Sequence, residues 1–402
     1  MNKSQENWIA EGEAAFYKTY NRYPVVFERG EGICLYDSDG EKYLDFYAGI
    51  AVNALGYGDP EFTKAIQEQA GKLLHVSNYF YNIPSIEAGE KLLAASQMDK
   101  VFFTNSGTEA VEGALKIARR YGYNKDGKHD HEIIAMANSF HGRSMGALSV
   151  TGNDHYQEPF KPLIPGIRFA EFNNLDSVKA LFNEKTSAVI METIQGEGGI
   201  YPAETEFLEG LRKLCDAHDA LLILDEIQCG MGRSGKMFAW QNYGVKPDVM
   251  TVAKALGNGV PVGAFLARGK ASTCMVPGDH GATYGGNPFV CAAASKVLDL
   301  FKEREIPAHA AKMGEYLWKR LEEIKESFPV VTDHRGMGLI QGLEFSIPVG
   351  PVVSDALLKE KLVLISAGTN VIRFIPPLII EEKDVDEMTA RLIRVLKAVK
   401  AE

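Results

Sequence analysis

A carboxylate and an amine each stand at the end of an apolar run near the middle of the chain. Asp225 follows residues 221–224 (LLIL), and Lys254 follows the run from Pro247 to Ala253. Such runs are typical of buried parallel strands, and open α/β sheets bind ligands at the carboxyl ends of their strands. A lysine there, before the glycine-rich stretch ALGNGVPVGA, predicts a desolvated amine of lowered pKa that is suited to a Schiff base.

Both residues also have ordinary interpretations. Asp225 is predicted to be partly desolvated and therefore to need a cationic or N–H partner, which a protonated pyridine nitrogen or a structural salt bridge would supply equally well. Glu226 is expected to be the solvated member of the two neighbouring carboxylates. A solvated lysine at a strand end is the alternative for Lys254. The presence of Asp225 at the end of another predicted strand argues against this alternative.

The junction at Ser106, Gly107 and Thr108 follows the predicted strand KVFFTN and opens a helix. Ser106 and Glu109 have the S-x-x-E spacing of a capping box. Free N–H groups at a helix N-terminus bind anions, and a glycine lets the backbone approach a phosphate closely. The sequence therefore indicates either a phosphate site or an ordinary capped helix.

The sequence FHGR follows another predicted strand, IIAMAN. Phe140 is suited to stacking on an aromatic ring held at the strand ends, or else to the core. Arg143 binds a carboxylate through two hydrogen bonds if it faces a pocket, and is a surface arginine otherwise.

A second arginine, Arg373, lies inside the apolar stretch VIRFI, where alternation does not decide whether it faces inward. A buried arginine needs a carboxylate partner. Glu197 in the glycine-rich loop QGEGG is the candidate partner, and a plain turn is the alternative for that loop.

Composition excludes several classes of function. The 53 acidic and 43 basic residues give a formal charge of −10, which argues against nucleic acids and anionic membranes and favours small-molecule substrates. No H-E-x-x-H, G-x-S-x-G or G-K-[ST] element is present, so metal, esterase and P-loop chemistry are disfavoured and no metal site is expected. The five widely spaced cysteines predict reduced thiols. With no apolar run near ~20 residues and no signal-peptide core at the start, we expect a cytoplasmic protein.

The order of patterns predicts the domain organisation of this α/β protein. Residues 1–59 read as an amphipathic helix around Trp8 to Tyr20 followed by a β-meander. Residues 60–290 alternate strands with helices, which predicts a large domain with a mostly parallel sheet covered on both faces. Residues 291–402 combine long helices with short strands, and we expect them to form a smaller α/β domain together with the N-terminal segment.

Taken in order, several motifs resemble those of the class III aminotransferases: SGTEA, SFHGR, ETIQGEGG, LDEIQCGMGRSG, VAKALGNGVPVGA, GDHGATYGGNP and VIRFIPP. The resemblance runs from about Pro24 to the C-terminal helix. It implies pyridoxal 5′-phosphate as cofactor, the fold-type I architecture with a seven-stranded sheet in the large domain, and a homodimer with shared active sites.

The resemblance also implies roles for residues at the cofactor. Lys254 would form the Schiff base, and Asp225 would hold the proton of the pyridine nitrogen. The remaining positions match ring and phosphate contacts: Gln228 at the ring oxygen, Phe140 stacked on the ring, Ile227 beside it, Ser106, Gly107 and Thr108 at the phosphate, and Thr283 reaching the phosphate of the neighbouring subunit.

On the substrate side, AGIAVNALG and LLHVSNYFYN look most like the family members that transfer the δ-amine of N2-acetylornithine to 2-oxoglutarate in arginine biosynthesis. Family members that act on ornithine typically have a tyrosine where Gly49 stands. The resemblance implies that Arg143 binds the distal carboxylate, that Arg373 binds the α-carboxylate of 2-oxoglutarate, and that Glu197 covers Arg373 while an ω-amine is bound.

Two positions depart from that pattern. Ala282 stands where many acetylornithine enzymes have a serine that contacts the substrate, and Tyr57 replaces a frequent histidine. Succinylornithine, succinyl-diaminopimelate, ornithine and 4-aminobutyrate therefore stay open as alternative substrates.

Overall fold

The structure is a computed structural model that describes residues 3–399. Its helices are α1 Gln5–Ala15, α2 Ala48–Ala51, α3 Pro60–Ala70, α4 Ile83–Ser96, α5 Gly107–Asp126, α6 Met145–Ser149, α7 Asp154–Gln157, α8 Leu175–Leu181, α9 Thr205–Ala217, α10 Pro288–Glu303, α11 Ile306–Ser327, α12 Gly350–Leu358 and α13 Glu382–Ala398. Its strands are β1 Phe27–Glu31, β2 Cys34–Asp37, β3 Lys42–Asp45, β4 Lys100–Thr104, β5 Glu132–Met136, β6 Ile167–Ala170, β7 Thr186–Glu192, β8 Ile194–Gln195, β9 Tyr201–Pro202, β10 Leu221–Asp225, β11 Val249–Val252, β12 Gly263–Ala267, β13 Val331–Met337, β14 Ile340–Phe345, β15 Leu362–Val363, β16 Ile365–Ala367 and β17 Val371–Phe374.

A seven-stranded sheet with the order β4-β12-β11-β10-β7-β5-β6 lies at the centre of the fold. Only β12 runs antiparallel to its neighbours. Every residue of β7, β10, β11 and β12 is buried, as expected for a parallel sheet that is covered on both faces. The prediction of a large, mostly parallel seven-stranded sheet flanked by helices is confirmed.

Alternate residues of the central strands belong to two separate hydrophobic cores. Leu222 and Leu224 pack in the larger core on one face of the sheet, whereas Leu221 and Ile223 pack under α5 on the other. Successive side chains of a strand point to opposite faces, so a continuous apolar run supplies both cores. The strands are thereby held from both sides, and their carboxyl ends are fixed relative to one another.

One of two smaller four-stranded sheets combines strands from both ends of the chain, and the other contains strands from its C-terminal part alone. The meander β1-β2-β3 is extended by β15, which pairs with β3 in parallel. The other small sheet, β13-β14-β17-β16, is antiparallel and carries Arg373 on β17. The division of the chain at residues 59 and 290 stays a prediction.

Three local predictions were incomplete or wrong. The N-terminal helix ends at Ala15 rather than near Tyr20, and none of its residues is buried. The strands β6 and β13 were not predicted, because exposed residues interrupt their alternation. A strand at the edge of its sheet needs only partial burial, so its sequence carries a weak signal.

Candidate active site

A cavity of about 420 Å³ opens at the carboxyl ends of the central strands. The polypeptide leaves β4, β5, β7, β10 and β11 at this edge, and the residues that follow or end these strands line it. They include Asn105, Ser106, Gly107, Thr108, Phe140, His141, Arg143, Glu192, Asp225, Ile227, Gln228 and Lys254. The structure thus brings most of the predicted site residues together.

Asp225 is held by three donors at the end of β10. Its Oδ1 accepts hydrogen bonds from the hydroxyl of Thr251 at 3.0 Å and from the backbone N–H of Ile227 at 3.0 Å. Its Oδ2 accepts from Nδ1 of His141 at 2.8 Å. A carboxylate bound in this way has a fixed orientation toward the cavity.

His141 is fully enclosed behind Asp225. Burial opposes its charging, but the hydrogen bond to Asp225 outweighs burial and raises the pKa of His141 above its ordinary value. Its other ring nitrogen, Nε2, has no hydrogen-bond partner within the described residues. The pair therefore places the side chain of Asp225, backed by the ring of His141, at the wall of the cavity.

Lys254 begins a short 3-10 helix, Lys254–Leu256, directly after β11, with a φ of +46°. This left-handed conformation is strained for a residue with a side chain. Burial lowers the pKa of its amine to about 8, with Glu197 opposing the shift and Arg373 adding to it. About a tenth of this amine is therefore uncharged at pH 7, far more than for an ordinary lysine, as a nucleophilic lysine requires.

The N-terminus of the 20-residue helix α5 faces the same cavity. Ser106 is its N-cap, and its hydroxyl accepts from the N–H of Glu109 at 3.3 Å. The predicted capping box is wrong in its second half, because Glu109 accepts from the N–H of Asn105 at 2.7 Å rather than from Ser106. A side chain at Gly107 would meet Ile227 at 2.9 Å, so this glycine keeps the helix terminus open. These features fit a phosphate group.

Phe140 and Arg143 also line the cavity, and their loop lies beside the N-terminus of α5, where the N–H of Ser144 donates to the hydroxyl of Thr108 at 3.2 Å. The guanidinium of Arg143 lies 4.3 Å from the ring centroid of Tyr156, and the rings of Tyr156 and Phe140 meet edge to face at 6.0 Å. Arg143 forms no salt bridge among residues 3–399 and is exposed. It is therefore an available cation beside the cavity.

Arg373, by contrast, is completely buried and already paired. Its two terminal nitrogens lie 2.6 and 3.2 Å from the two carboxylate oxygens of Glu197. Gln228 accepts from Arg373 at 2.9 Å and approaches Glu197 at 3.4 Å. Although burial opposes it, the charge of Arg373 lowers the pKa of Glu197, so this pair is ionised and closed.

Glu226 corrects one sequence prediction. It is fully buried rather than solvated, and its oxygens accept from the backbone N–H groups of Ala239 and Trp240 at 2.7 and 2.8 Å. Burial raises its pKa to about 7. This carboxylate organises the loop after β10 and does not reach the cavity.

Ala282 and Thr283 do not lie in the main cavity of their own chain. They line a separate cavity of about 360 Å³ together with Asn105, which borders both cavities. The side chain of Asn78 donates to the carbonyl of Ala282 at 3.0 Å. The loop that carries Thr283 is thus fastened to the segment before α4, and Thr283 itself is exposed.

Gly49 lies in α2, which is a single left-handed turn with φ values from +50° to +66°. Asp45 holds the turn by accepting from the N–H groups of Tyr47 and Ala48 at 2.8 and 2.9 Å, and Tyr57 donates to the same carboxylate at 2.6 Å. Only glycine adopts this conformation without strain. The residue that follows the turn, Val52, lines the main cavity.

Sequence analysis missed three polar residues of this site: His141, Thr251 and Glu192. Glu192 ends the apolar strand β7 as Asp225 ends β10, and the two lie side by side in the sheet. The same signal that identified Asp225 was therefore present for Glu192. Nothing in the sequence indicated that His141 and Thr251 would donate hydrogen bonds to Asp225.

The fold and the site, with a lysine of lowered pKa, an aspartate and a helix N-terminus at one cavity, define an aminotransferase of the pyridoxal phosphate type. The family model of the class III aminotransferases matches residues 15–396, so the chain belongs to this family. The chain is 50% identical over 370 residues to the acetylornithine aminotransferase of Clostridium acetobutylicum, covering 92% of this chain and 95% of that one.

Solved structures give the same result. The ornithine aminotransferase of Toxoplasma gondii superposes with a TM-score of 0.94 at 30% identity and covers 99% of this chain and 96% of that one. The N-acetylornithine aminotransferase of Stenotrophomonas maltophilia superposes with a TM-score of 0.84 at 37% identity, covering 97% and 98%. The predicted family, fold and cofactor are confirmed. Within residues 3–399, no helix is both long and apolar enough to span a membrane.

Proposed function

We propose that the protein transfers the δ-amine of N2-acetyl-L-ornithine to 2-oxoglutarate, giving N-acetyl-L-glutamate 5-semialdehyde and L-glutamate. The observation that carries this proposal is the contrast between the two arginines. Arg143 is available beside the cavity, whereas Arg373 is closed by Glu197. The acetylornithine aminotransferases among the relatives support the same substrate.

The cofactor would lie between Lys254 and the N-terminus of α5. Ser106, Gly107 and Thr108 would bind its phosphate, Asp225 its ring nitrogen and Gln228 its ring oxygen, with Phe140 and Ile227 against the ring. When bound, pyridoxal phosphate withdraws electrons from the carbon that carries the amine and so acidifies its C–H bond.

The residues of the chain supply the proton transfers and the orientation. The uncharged amine of Lys254 would be the group that holds the cofactor, and the same side chain, when free, would move a proton as general base and acid. The pair of Asp225 and His141 would hold the proton at the ring nitrogen. Because Asp225 is held by three donors, this charge does not need to reorganise during the reaction.

The two arginines would let one cavity accept two unlike substrates. With the pair of Glu197 and Arg373 closed, the carboxylate of acetylornithine binds only at Arg143, which leaves its δ-amine near Lys254. When Glu197 turns away, Arg373 becomes free to bind the α-carboxylate of glutamate or 2-oxoglutarate. Ala282 would contribute to the substrate pocket.

We infer further that the active form is a homodimer in the cytoplasm. Three consecutive aromatic residues, Tyr79, Phe80 and Tyr81, are 94, 67 and 93% exposed, and Asn78 ties this segment to the loop of Thr283. An exposed apolar patch of this kind is typical of an interface. An interface formed by this patch would bring the loop of Thr283 to the phosphate that is bound by the second subunit. The five free cysteines are compatible with a reducing compartment.

A substrate panel tests the proposal. The holoenzyme is offered acetylornithine, succinylornithine, ornithine, succinyl-diaminopimelate and 4-aminobutyrate, each with 2-oxoglutarate, and glutamate formation is measured. We expect kcat/KM to be highest for acetylornithine. A higher value for any other amine would replace the proposed substrate, and no activity with any of them would refute the proposal.

Another ω-aminotransferase activity is the second candidate, because the T. gondii ornithine aminotransferase superposes with a TM-score of 0.94. Gly49 disfavours ornithine as the substrate. A Cβ at Gly49 would lie 3.0 Å from Nδ2 of Asn53, and Val52, which follows the turn, lines the main cavity. A glycine at position 49 would therefore leave more room on this side for an acylated α-amino group. The ratio of kcat/KM for acetylornithine and ornithine separates the two candidates directly.

A further inference from the structure

Glu192 is a buried carboxylate at the carboxyl end of β7, in register with Asp225 on β10. It is 5% exposed and borders the main cavity. Its Oε2 accepts from the backbone N–H of Phe140 at 3.0 Å, and its Oε1 accepts from the backbone N–H of Gly196 at 3.2 Å. One side chain thus joins two different loops of the site.

The environment of Glu192 shows that this arrangement costs free energy. Burial, with a contribution from the charge of Asp225, raises the pKa of Glu192 to about 7, while His141 and the two N–H donors oppose the shift. Both carboxylate oxygens are already bound to backbone groups. A buried carboxylate that is occupied in this way positions its partners rather than exchanging protons with a substrate.

The loop on one side of Glu192 carries the closed pair. Gly196 directly precedes Glu197, and a side chain at Gly196 would overlap the amide of Gln228. Gln228 in turn contacts both Glu197 and Arg373. A displacement of Gly196 would therefore reach the pair of Glu197 and Arg373 both along the backbone and through Gln228.

We infer that Glu192 is a positioning residue that couples the loop of Phe140 to the loop of Glu197 and thereby favours the closed pair of Glu197 and Arg373. The inference rests on the proposed function, in which this pair separates the two half-reactions. Glu192 acts through the backbone of Phe140 and Gly196, to which both of its carboxylate oxygens are bound.

The variant Glu192→Gln tests this role. Glutamine has nearly the same volume, but one of its two terminal atoms is an NH₂ group that cannot accept from a backbone N–H. At a pH above the pKa of about 7, where Glu192 is ionised, the loss of one charge-assisted hydrogen bond weakens the closed pair. We expect the ratio of kcat/KM for glutamate to that for acetylornithine, each measured in single half-reactions, to rise about tenfold.

A second readout does not depend on the cofactor. In the apoprotein, the amide of Phe140 or of Gly196 should exchange hydrogen at least about tenfold faster in Glu192→Gln than in the wild type. Glu192→Asp, which retains the charge but is one methylene shorter, should change both readouts in the same direction, and it replaces Glu192→Gln if that variant does not fold. Glu204→Gln, at an exposed position before α9, is the matched control.

A ratio within about twofold of the wild-type value would overturn the inference, whatever the exchange rates show, because it would mean that the two loops are not coupled to the pair. If the wild type does not accept acetylornithine, the proposed function fails instead. In that case the hydrogen exchange of the Phe140 and Gly196 amides decides the role of Glu192. Unchanged exchange in Glu192→Gln would overturn this role as well, whereas faster exchange would support the positioning of the two loops by Glu192.

Discussion

The guanidinium of Arg373 and the carboxylate of Glu197 form a two-point ion pair, with nitrogen–oxygen distances of 2.6 and 3.2 Å. Arg373 belongs to β17 of a small sheet, whereas Glu197 belongs to the loop between β8 and β9. The pair thus joins elements that are distant in sequence, and Gln228, which contacts Arg373, lines the main cavity. The carboxylate of Glu197 occupies the cation that would otherwise bind a second carboxylate.

Substitution of Glu197 should affect the two half-reactions unequally. In Glu197→Gln the charge that holds Arg373 is lost, so the arginine is open to the carboxylate of acetylornithine and the δ-amine is misplaced. We expect kcat/KM for acetylornithine to fall about 10- to 100-fold, from the ~1.5–3 kcal/mol of a charged hydrogen bond. The value for glutamate should fall less than about threefold. Equal losses in rapid-mixing measurements of both half-reactions would contradict the switch.

The rate at which the apoprotein captures pyridoxal phosphate should depend on pH through Lys254. Only the uncharged amine attacks, and burial lowers the pKa of Lys254 to about 8. We therefore expect the capture rate to rise about tenfold per pH unit below this pKa and to level off above it. Stopped-flow absorbance measures this rate. The charge of Glu197 raises the pKa of Lys254, so Glu197→Gln should move the midpoint to lower pH. A midpoint near the ordinary lysine value of ~10.4 would refute this account.

The hydrogen bond from His141 to Asp225 should contribute to cofactor affinity. His141→Asn removes a buried donor 2.8 Å from Oδ2 of Asp225. We expect the Kd for pyridoxal phosphate to increase about 10- to 100-fold, because hydrogen bonds to charged groups contribute ~1.5–3 kcal/mol. Equilibrium dialysis measures the change. His155→Asn, at an exposed position, is the control and should leave the Kd unchanged.

Gly113 should resist replacement by alanine although it lies inside helix α5. A side chain there would overlap the ring of Phe265 on β12. We expect Gly113→Ala to lower the free energy of unfolding by about 1–3 kcal/mol through overpacking. Gly12→Ala in helix α1, where the nearest atom lies at 3.7 Å, should instead be neutral or stabilising by up to about 1 kcal/mol. Denaturant unfolding of both variants distinguishes packing from helix propensity.

The carboxyl ends of the strands could be predicted from the sequence because an apolar run there stops at a polar residue, as at Asp225. That pattern placed the site at the carboxyl-terminal edge of the central sheet. It did not predict the burial of Glu226, which depends on amides of Ala239 and Trp240 that lie beyond a turn. Nor did it predict the edge strand β6, which is only partly buried. Contacts between loops produce no hydrophobic periodicity in the sequence, and a partly buried edge strand produces only a weak periodicity.

The parallel pairing of β3 with β15 has a consequence for synthesis on the ribosome. The partner of Asp45 in this ladder is Val363, so most of the polypeptide emerges before that edge of the meander can be covered. During this interval the nascent N-terminal strands expose unsatisfied backbone groups, which invite pairing with other chains. The first sheet to be translated is therefore complete only after residues 362–363 have been made.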